Sequence, residues 1–291
     1  MKKWVIGGAV VLLVIVGIGI GRMNTLSDLR TSYLKKRGLT KEGQARGRAL
    51  LSSAIKKLGG LKQWKSFRQK TLRVEMQDLW PDWFSQKVVM PQEFNGQKMQ
   101  FTFQPSRENS RLKFVEGRWK GRAWGIQNWV TYRADSRGKL HWKQDNTLKF
   151  WLPTYQYFVL MPFYLTEAAL QVYAGPKTLG GRKYERVLVT WKKLEAQKTI
   201  DQYLLWIDAE TKRIVYVQYT VRDMFPNLKS QAWLSDYRKV GGLLLPHRYT
   251  VINKIGKHRD VLHTMLWNKI HLLASPSPSL LLPDPARTAR K

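Results

Sequence analysis

From Trp4 to Gly21 the chain reads WVIGGAVVLLVIVGIGIG, eighteen residues without a charged or strongly polar side chain. At 1.5 Å rise per residue such a run sits near the lower limit for crossing a bilayer. It has no polar face, so a helix buried in a soluble fold does not account for it. Lys2 and Lys3 precede it, as in the n-region of an export signal. Its end, Gly17-Ile18-Gly19-Ile20-Gly21, carries no clear A-x-A-like site, so an uncleaved anchor is preferred to a cleaved signal peptide.

Beyond this run the pattern becomes helical. Thr40 is a candidate N-cap, with Glu42 in the first turn. Ala45, Ala49, Leu50, Ile55 and Leu58 follow at helical spacing, and Gly59-Gly60 marks the stop. Leu61, Trp64 and Phe67 mark a second short turn or helix. From Lys70 the period changes to two. Leu72, Val74 and Met76 alternate with Arg73, Glu75 and Gln77, and Met99, Phe101 and Phe103 alternate with polar neighbours. Val187, Val189 and Trp191 form another apolar row, as do Val215, Val217, Tyr219 and Val221. Each predicts a strand with one buried face. Turn signals separate them at Asn95-Gly96, Ser136-Arg137-Gly138, Gly180-Gly181, Asp208 to Thr211 and Gly241-Gly242. About ten strands in succession read as antiparallel meanders in an α+β protein. Residues 150–174 break the pattern. Pro153 and Pro162 argue against one long helix there, and a short helix from Leu165 to Val172 is expected instead. The Pro/Ser-rich tail from Ser275 is expected to be poorly ordered.

Composition changes the picture in one respect. The formal net charge is +31, which favours anionic partners. Residues 22–74 hold fifteen Lys or Arg against two acids. Arg30, Lys35, Lys36, Arg37 and Lys41 are the candidates for holding an anionic membrane surface, at about 1 kcal/mol per well-placed charge. The competing explanation is a solvated helix face beside a charged linker. Nucleic acid is the other anionic class, and Arg118 to Trp124 interleaves bases with aromatics. No nucleic-acid motif accompanies it, and the anchor points to a membrane. Absence of cysteine excludes a disulfide framework and a Cys-based zinc site.

Chemistry is sparsely signalled. The five histidines show no H-x-x-x-H spacing and read as surface or satisfied residues rather than metal ligands. Asp201, Asp208, Glu210, Asp223 and Asp236 fall at predicted strand ends, with Asp208 and Glu210 suited to a hairpin turn. No GxSxG, P-loop or GxGxxG is present. No catalytic residue, metal site or cofactor is assigned from sequence.

Two stretches resemble a known family. One is Asp201 to Asp208 followed by Thr211 and the strand Arg213 to Val217. The other is Ser235-Asp236-Tyr237 leading through Gly241-Gly242 to Pro246. A strand, D-x-x-T turn and strand, then D-Y-x-x-x-G-G-x-x-x-P, is similar to the lipoprotein-carrier-like (LolA/LolB-like) superfamily of bacterial envelope proteins. The resemblance covers about residues 45–272. It implies a strongly curved antiparallel half-barrel whose helices plug the concave face, with an apolar cavity between. Residues 1–21 would be anchor or signal, 22–41 a basic juxtamembrane linker, 42–273 the half-barrel and 274–291 the tail. In that frame Met99, Phe101, Phe103 and Trp191 are cavity-wall candidates. Trp151, Tyr155, Phe158, Phe163 and Tyr164 belong to a plug or lid. The competing explanation for each is plain core packing. The implied function is non-catalytic binding of a lipid or lipidated ligand in the envelope. The chain would be single-pass in a bacterial inner membrane, with its bulk in the periplasm. A positive-inside count of the bases flanking the run points the other way. The retained anchor and the basicity depart from a free shuttle. The alternative is a basic scaffold with a filled barrel core that grips an anionic membrane surface or another polyanion.

Overall fold

The computed structural model describes residues 26–81, 93–223, 226–256 and 260–273. The apolar run at 4–21 and the tail from 274 lie outside the described residues. Three helices come first: α1 (Ser32–Arg37), α2 (Lys41–Lys57) and α3 (Gly60–Phe67). Six strands follow: β1 (Thr71–Leu79), β2 (Met99–Phe103), β3 (Ser110–Phe114), β4 (Ala123–Gln127), β5 (Val130–Ala134) and β6 (Leu140–Trp142). After α4 (Asn146–Tyr164) and a 3-10 turn come β7 (Leu170–Leu179), β8 (Arg182–Thr190) and β9 (Tyr203–Asp208). The last four are β10 (Ile214–Thr220), β11 (Lys229–Val240), β12 (Leu243–Ile252) and β13 (Val261–Leu273). Among the described residues no helix is long and apolar enough to cross a membrane.

All thirteen strands form one open antiparallel sheet in the order β6-β5-β4-β3-β2-β1-β13-β12-β11-β10-β9-β8-β7. Every neighbour is a chain neighbour except at one seam, where β1 pairs with β13 from Thr71↔Leu273 to Leu79↔Thr264. The short strands β3 to β6 raise the number above the ten expected. The glycine turns behave as read. Gly180-Gly181 and Gly241-Gly242 carry positive φ at both residues, which a two-residue hairpin turn requires.

The period-two rows of β1, β2 and β8 form the inner face, whereas in β10 an irregularity between Ile214 and Tyr216 leaves Val215 on the opposite cluster, with Val217 and Tyr219 inward. Leu72, Val74, Met76, Met99, Phe101, Phe103, Leu112, Phe114, Val187 and Val189 are all buried in one apolar core. β8 and β9 differ from the expected one-faced strand because they are covered on both sides. Val187, Val189, Leu205 and Ile207 face the main core. Leu188, Leu204 and Trp206 join Leu29 and Leu34 in a second cluster on the opposite face. Thus part of the stretch read as a linker, 26–37, packs as a cover for the sheet. Thr31 caps α1 by accepting from the Leu34 N–H, and its own hydroxyl donates to the Ala174 carbonyl at 2.7 Å.

The helix α2 begins at its expected cap, Thr40, and buries the expected Ile55 and Leu58, but its first half turns a different face inward. Gly47, Leu51, Ala54, Ile55 and Leu58 face inward, while Ala45 and Ala49 are exposed. The reason is the close approach at Gly47, where the helix lies directly against the β7 backbone. At its other end the Leu244 N–H donates to the Leu58 carbonyl at 2.9 Å, fixing the helix corner on the β11–β12 turn.

Residues 150–174 overturn the expectation. One helix, α4, runs through both Pro153 and Pro162, and Leu170 begins a strand. Each proline removes a donor from the helix. The Asp145 side chain restores order at the start by accepting from the Thr147 and Leu148 N–H groups. Burial of eleven of its nineteen residues outweighs the proline cost, since tertiary packing supplies most helix stability. α4 lies on the inner face: Tyr155 meets Phe101 and Trp267, and Phe158 meets Tyr219 and Tyr249.

Candidate functional site

Beside the outward face of α4 a cleft of about 430 Å³ remains open. One wall is α4 itself, through Pro153, Gln156, Tyr157 and Tyr164. The second is the β2–β3 loop from Pro105 to Glu108. Trp191, just past β8, forms the far side, and Arg68 and Glu167 close the rim. Local bonds fix these parts. The Gln156 amide donates to the carbonyls of Gln104 (3.3 Å) and Arg107 (2.8 Å), and the Tyr164 hydroxyl donates to the Pro105 carbonyl at 2.9 Å. The β2–β3 loop is therefore tied to the helix. Arg68 and Glu167 pair at 2.7 Å across the rim. Gln197 donates to the Trp191 carbonyl at 2.8 Å and holds the remaining side.

Three aromatic rings, Tyr157, Tyr164 and Trp191, share the lining with charged and polar side chains. Tyr157 and Tyr164 stack with ring centroids 5.6 Å apart, Tyr157 meets Tyr203 at 5.8 Å, and Trp191 meets Tyr203 edge-on at 6.3 Å. Burial pushes the Tyr164 phenol up to about 12, and burial together with Tyr203 holds the Tyr157 phenol well above its ordinary range. Both stay protonated near neutrality. They offer ring faces, not a proton-accepting base.

The candidate residues separate into two groups. Tyr164 and Trp191 line the cleft and are half-buried. Met99, Phe101, Phe103, Tyr155 and Phe163 are fully buried in the core, and Trp151 and Phe158 nearly so. Of the basic candidates, Arg30 pairs with Asp28 at 3.0 Å and with Glu195 at 2.9 Å. Lys35 stands 3.9 Å from Asp28, whereas Lys36, Arg37 and Lys41 are exposed. Arg37 lies over the Tyr33 ring at 4.9 Å.

Sequence reasoning did not single out a buried polar knot at the other side of α4. Asp78 is fully buried; it accepts from the Tyr155 hydroxyl at 2.8 Å and lies 3.0 Å from His263 Nδ1. His263 stacks on Trp80 with centroids 4.0 Å apart. The signal was present: Asp78 continues the inward parity of Leu72, Val74 and Met76. A carboxylate on an apolar parity demands a partner. Among the described residues no three His, Asp or Glu side chains converge as a metal site.

No family model matches the chain, and no curated protein matches it. Solved structures do. A domain from Vibrio parahaemolyticus described as an outer membrane lipoprotein-sorting protein matches at TM-score 0.47 and 10% identity, over 85% of this chain and 100% of that one. A LolA superfamily protein from Nitrosomonas europaea matches at TM-score 0.46 and 11% identity, over 80% and 96%. A DUF1329 family protein from Desulfovibrio piger matches at 0.47 and 10%, over 81% and 96%.

Proposed function

We propose that this chain is a membrane-tethered, non-catalytic binding protein whose sheet curves about α4 as a half-barrel. Its cleft takes the apolar part of a lipid or acylated ligand. The cleft itself carries the reading: about 430 Å³, walled by Tyr157, Tyr164 and Trp191, with Arg68, Arg107, Glu108 and Glu167 around it. That volume falls among small-molecule sites of about 300–1,000 Å³, and ring faces beside charged and polar side chains suit an amphiphile. In this reading Met99, Phe101, Phe103, Trp151, Tyr155, Phe158 and Phe163 support the cleft from behind, and ligand contact falls to Tyr157, Tyr164 and Trp191. The run at 4–21 is the tether, and 42–273 together with the cover segment 26–37 is the binding domain. The bulk of the chain lies outside the cytoplasm, as the resemblance of residues 201–217 and 235–246 implies.

The filled inner face also favours a second reading, a basic scaffold that grips an anionic surface. Titration of the full chain in detergent with a dansyl-labelled fatty acid separates the two. Saturable uptake, weakened about tenfold or more by Trp191→Ala and by Tyr164→Ala but untouched by Arg46→Ala, supports the cleft, because each cleft variant removes a ring face from its wall. No uptake, or uptake indifferent to both cleft variants, sinks it. The scaffold reading would then be read out as vesicle binding that weakens steeply with salt.

A further inference from the structure

The β4–β5 hairpin turns through Asn128 and Trp129, both with positive φ (49° and 61°), between the paired residues Gln127 and Val130. A two-residue turn of this hand favours Asn followed by Gly. Asn128 conforms. Trp129 does not, because a bulky residue in the left-handed region is an outlier that costs stability. Nor does packing offset that cost: Trp129 is 51% exposed, the most exposed of the large hydrophobic side chains described. A strained backbone that presents an indole to solvent points to a contact outside the chain.

The position of the tip indicates what the contact is. The Asn128 N–H donates to Asn109 Oδ1 at 3.0 Å, which sets the tip beside the β2–β3 loop, one wall of the cleft. The opposite side of the cleft is Trp191, and the chain behind it is bound to the N-terminal segment. Gln202 donates to the Leu194 carbonyl at 2.9 Å and accepts from the Leu29 N–H at 2.9 Å, and Arg30 pairs with Glu195. Arg222 donates to Ser27 Oγ at 3.0 Å, so the chain leaves the fold at a fixed point. That point is six residues past the apolar run ending at Gly21, a reach of at most roughly 20 Å. The chain's exit and the Trp129 tip thus flank one cleft from its two sides.

We infer that Trp129 is a bilayer contact: its indole enters the interface of an anionic phospholipid membrane, and together with the tether it seats the cleft mouth on the lipid surface. Indoles favour that interface, and the exposed Arg107 in the adjoining loop suits anionic headgroups. This rests on the tether of the proposed function but not on the cleft's ligand.

Trp129→Gly is the clean variant, because glycine fits the turn. It should keep or raise the melting temperature. The full chain and this variant are reconstituted in phosphatidylethanolamine–phosphatidylglycerol vesicles, with and without lipids brominated near the headgroup. The wild-type minus variant emission isolates Trp129 from the other twelve tryptophans. Bromolipid should quench most of that difference emission, and aqueous acrylamide little of it. Difference emission quenched by acrylamide and untouched by bromolipid overturns the inference. Quenching that persists in Trp129→Gly and is lost when Trp4→Phe is added reports Trp4 in the tether, so loss of the tether registers separately. Fatty-acid uptake in detergent tests the cleft on its own.

Discussion

Gly47 stands in the middle of α2, where glycine to alanine ordinarily strengthens a helix by about 1 kcal/mol. Here the sign should reverse. A Cβ at Gly47 would lie 2.4 Å from the Gln171 carbonyl oxygen, 2.7 Å from its carbon and 2.8 Å from the Tyr173 nitrogen. These are backbone atoms of β7, held by pairing with β8, and cannot rotate aside. Carbon–oxygen contacts settle at about 3.3–3.6 Å, so helix and strand must part by roughly 1 Å. Parting loosens Leu51 and Ala54, which are buried on the same stripe. Overpacking of this kind costs about 1–3 kcal/mol, and a clash against backbone belongs at the upper end. Gly47→Ala should therefore lose about 2 kcal/mol net of the propensity gain. Gly43→Ala is the internal control. Its Cβ would meet only side-chain atoms, Thr40 Oγ1 at 3.1 Å and Val172 Cγ1 at 3.6 Å, so it should be neutral or gain up to about 1 kcal/mol. Urea unfolding followed by far-UV circular dichroism gives both midpoints. A Gly47→Ala protein as stable as Gly43→Ala would refute the close approach of α2 to β7.

Two further outcomes follow from buried carboxylates. Asp78→Ala strands the Tyr155 hydroxyl and His263 in the core and should cost about 3–5 kcal/mol in chemical denaturation. Asp78→Asn keeps one acceptor and should cost less, about 1.5–3 kcal/mol; equal losses would count against the knot as a bonded unit. Asp201 and Asp208 should bend the pH profile in opposite senses. Burial raises Asp201 despite bonds from the Thr220 hydroxyl and the Arg222 N–H. A raised carboxyl contributes stability while protonated and loses it as pH rises through its folded pKa. Asp201→Asn should therefore improve stability near neutrality relative to acid. Burial also pushes Asp208 upward, but bonds from Thr211 and Glu210 prevail and its pKa is lowered. Its contribution is present above the unfolded pKa and lost as pH falls, so Asp208→Asn should flatten the acid limb of the thermal stability curve. Unchanged profiles in both variants would reject these assignments.

The parity of Leu72 to Met76 and of Met99 to Phe103 was enough to name the inner face, because a strand period of two survives any tertiary context that buries one side. Turns were legible for a similar reason: glycine pairs and Asp208 act locally. The helix through Pro153 and Pro162 was not legible. Its stability comes from burial among distant strands, which local propensity does not register. The same limit applied to the site. Tyr164 and Phe163 are adjacent aromatics, yet one lines the cleft and the other fills the core. Which does which depends on the Tyr164 bond to Pro105, a loop far away in sequence. Trp129 carried a local signal, a tryptophan in the glycine position of an Asn-x turn, that composition and periodicity pass over.

The seam between β1 and β13 has a kinetic consequence. On either side of it, every strand pairs with its neighbour in the chain, so β1–β6 and β7–β13 are two meanders that can zip locally and early. Only the seam joins opposite ends of the chain, and it closes after the entropy of that loop has been lost. Doubling such a loop adds only about 0.6 kcal/mol, so chain length between the halves is a weak constraint. A chain cut in the turn between β6 and α4 therefore leaves two pieces that carry complementary edges. One ends its sheet in β1, the other in β13. Mixed in one compartment, they have the means to find each other and complete the fold across the seam.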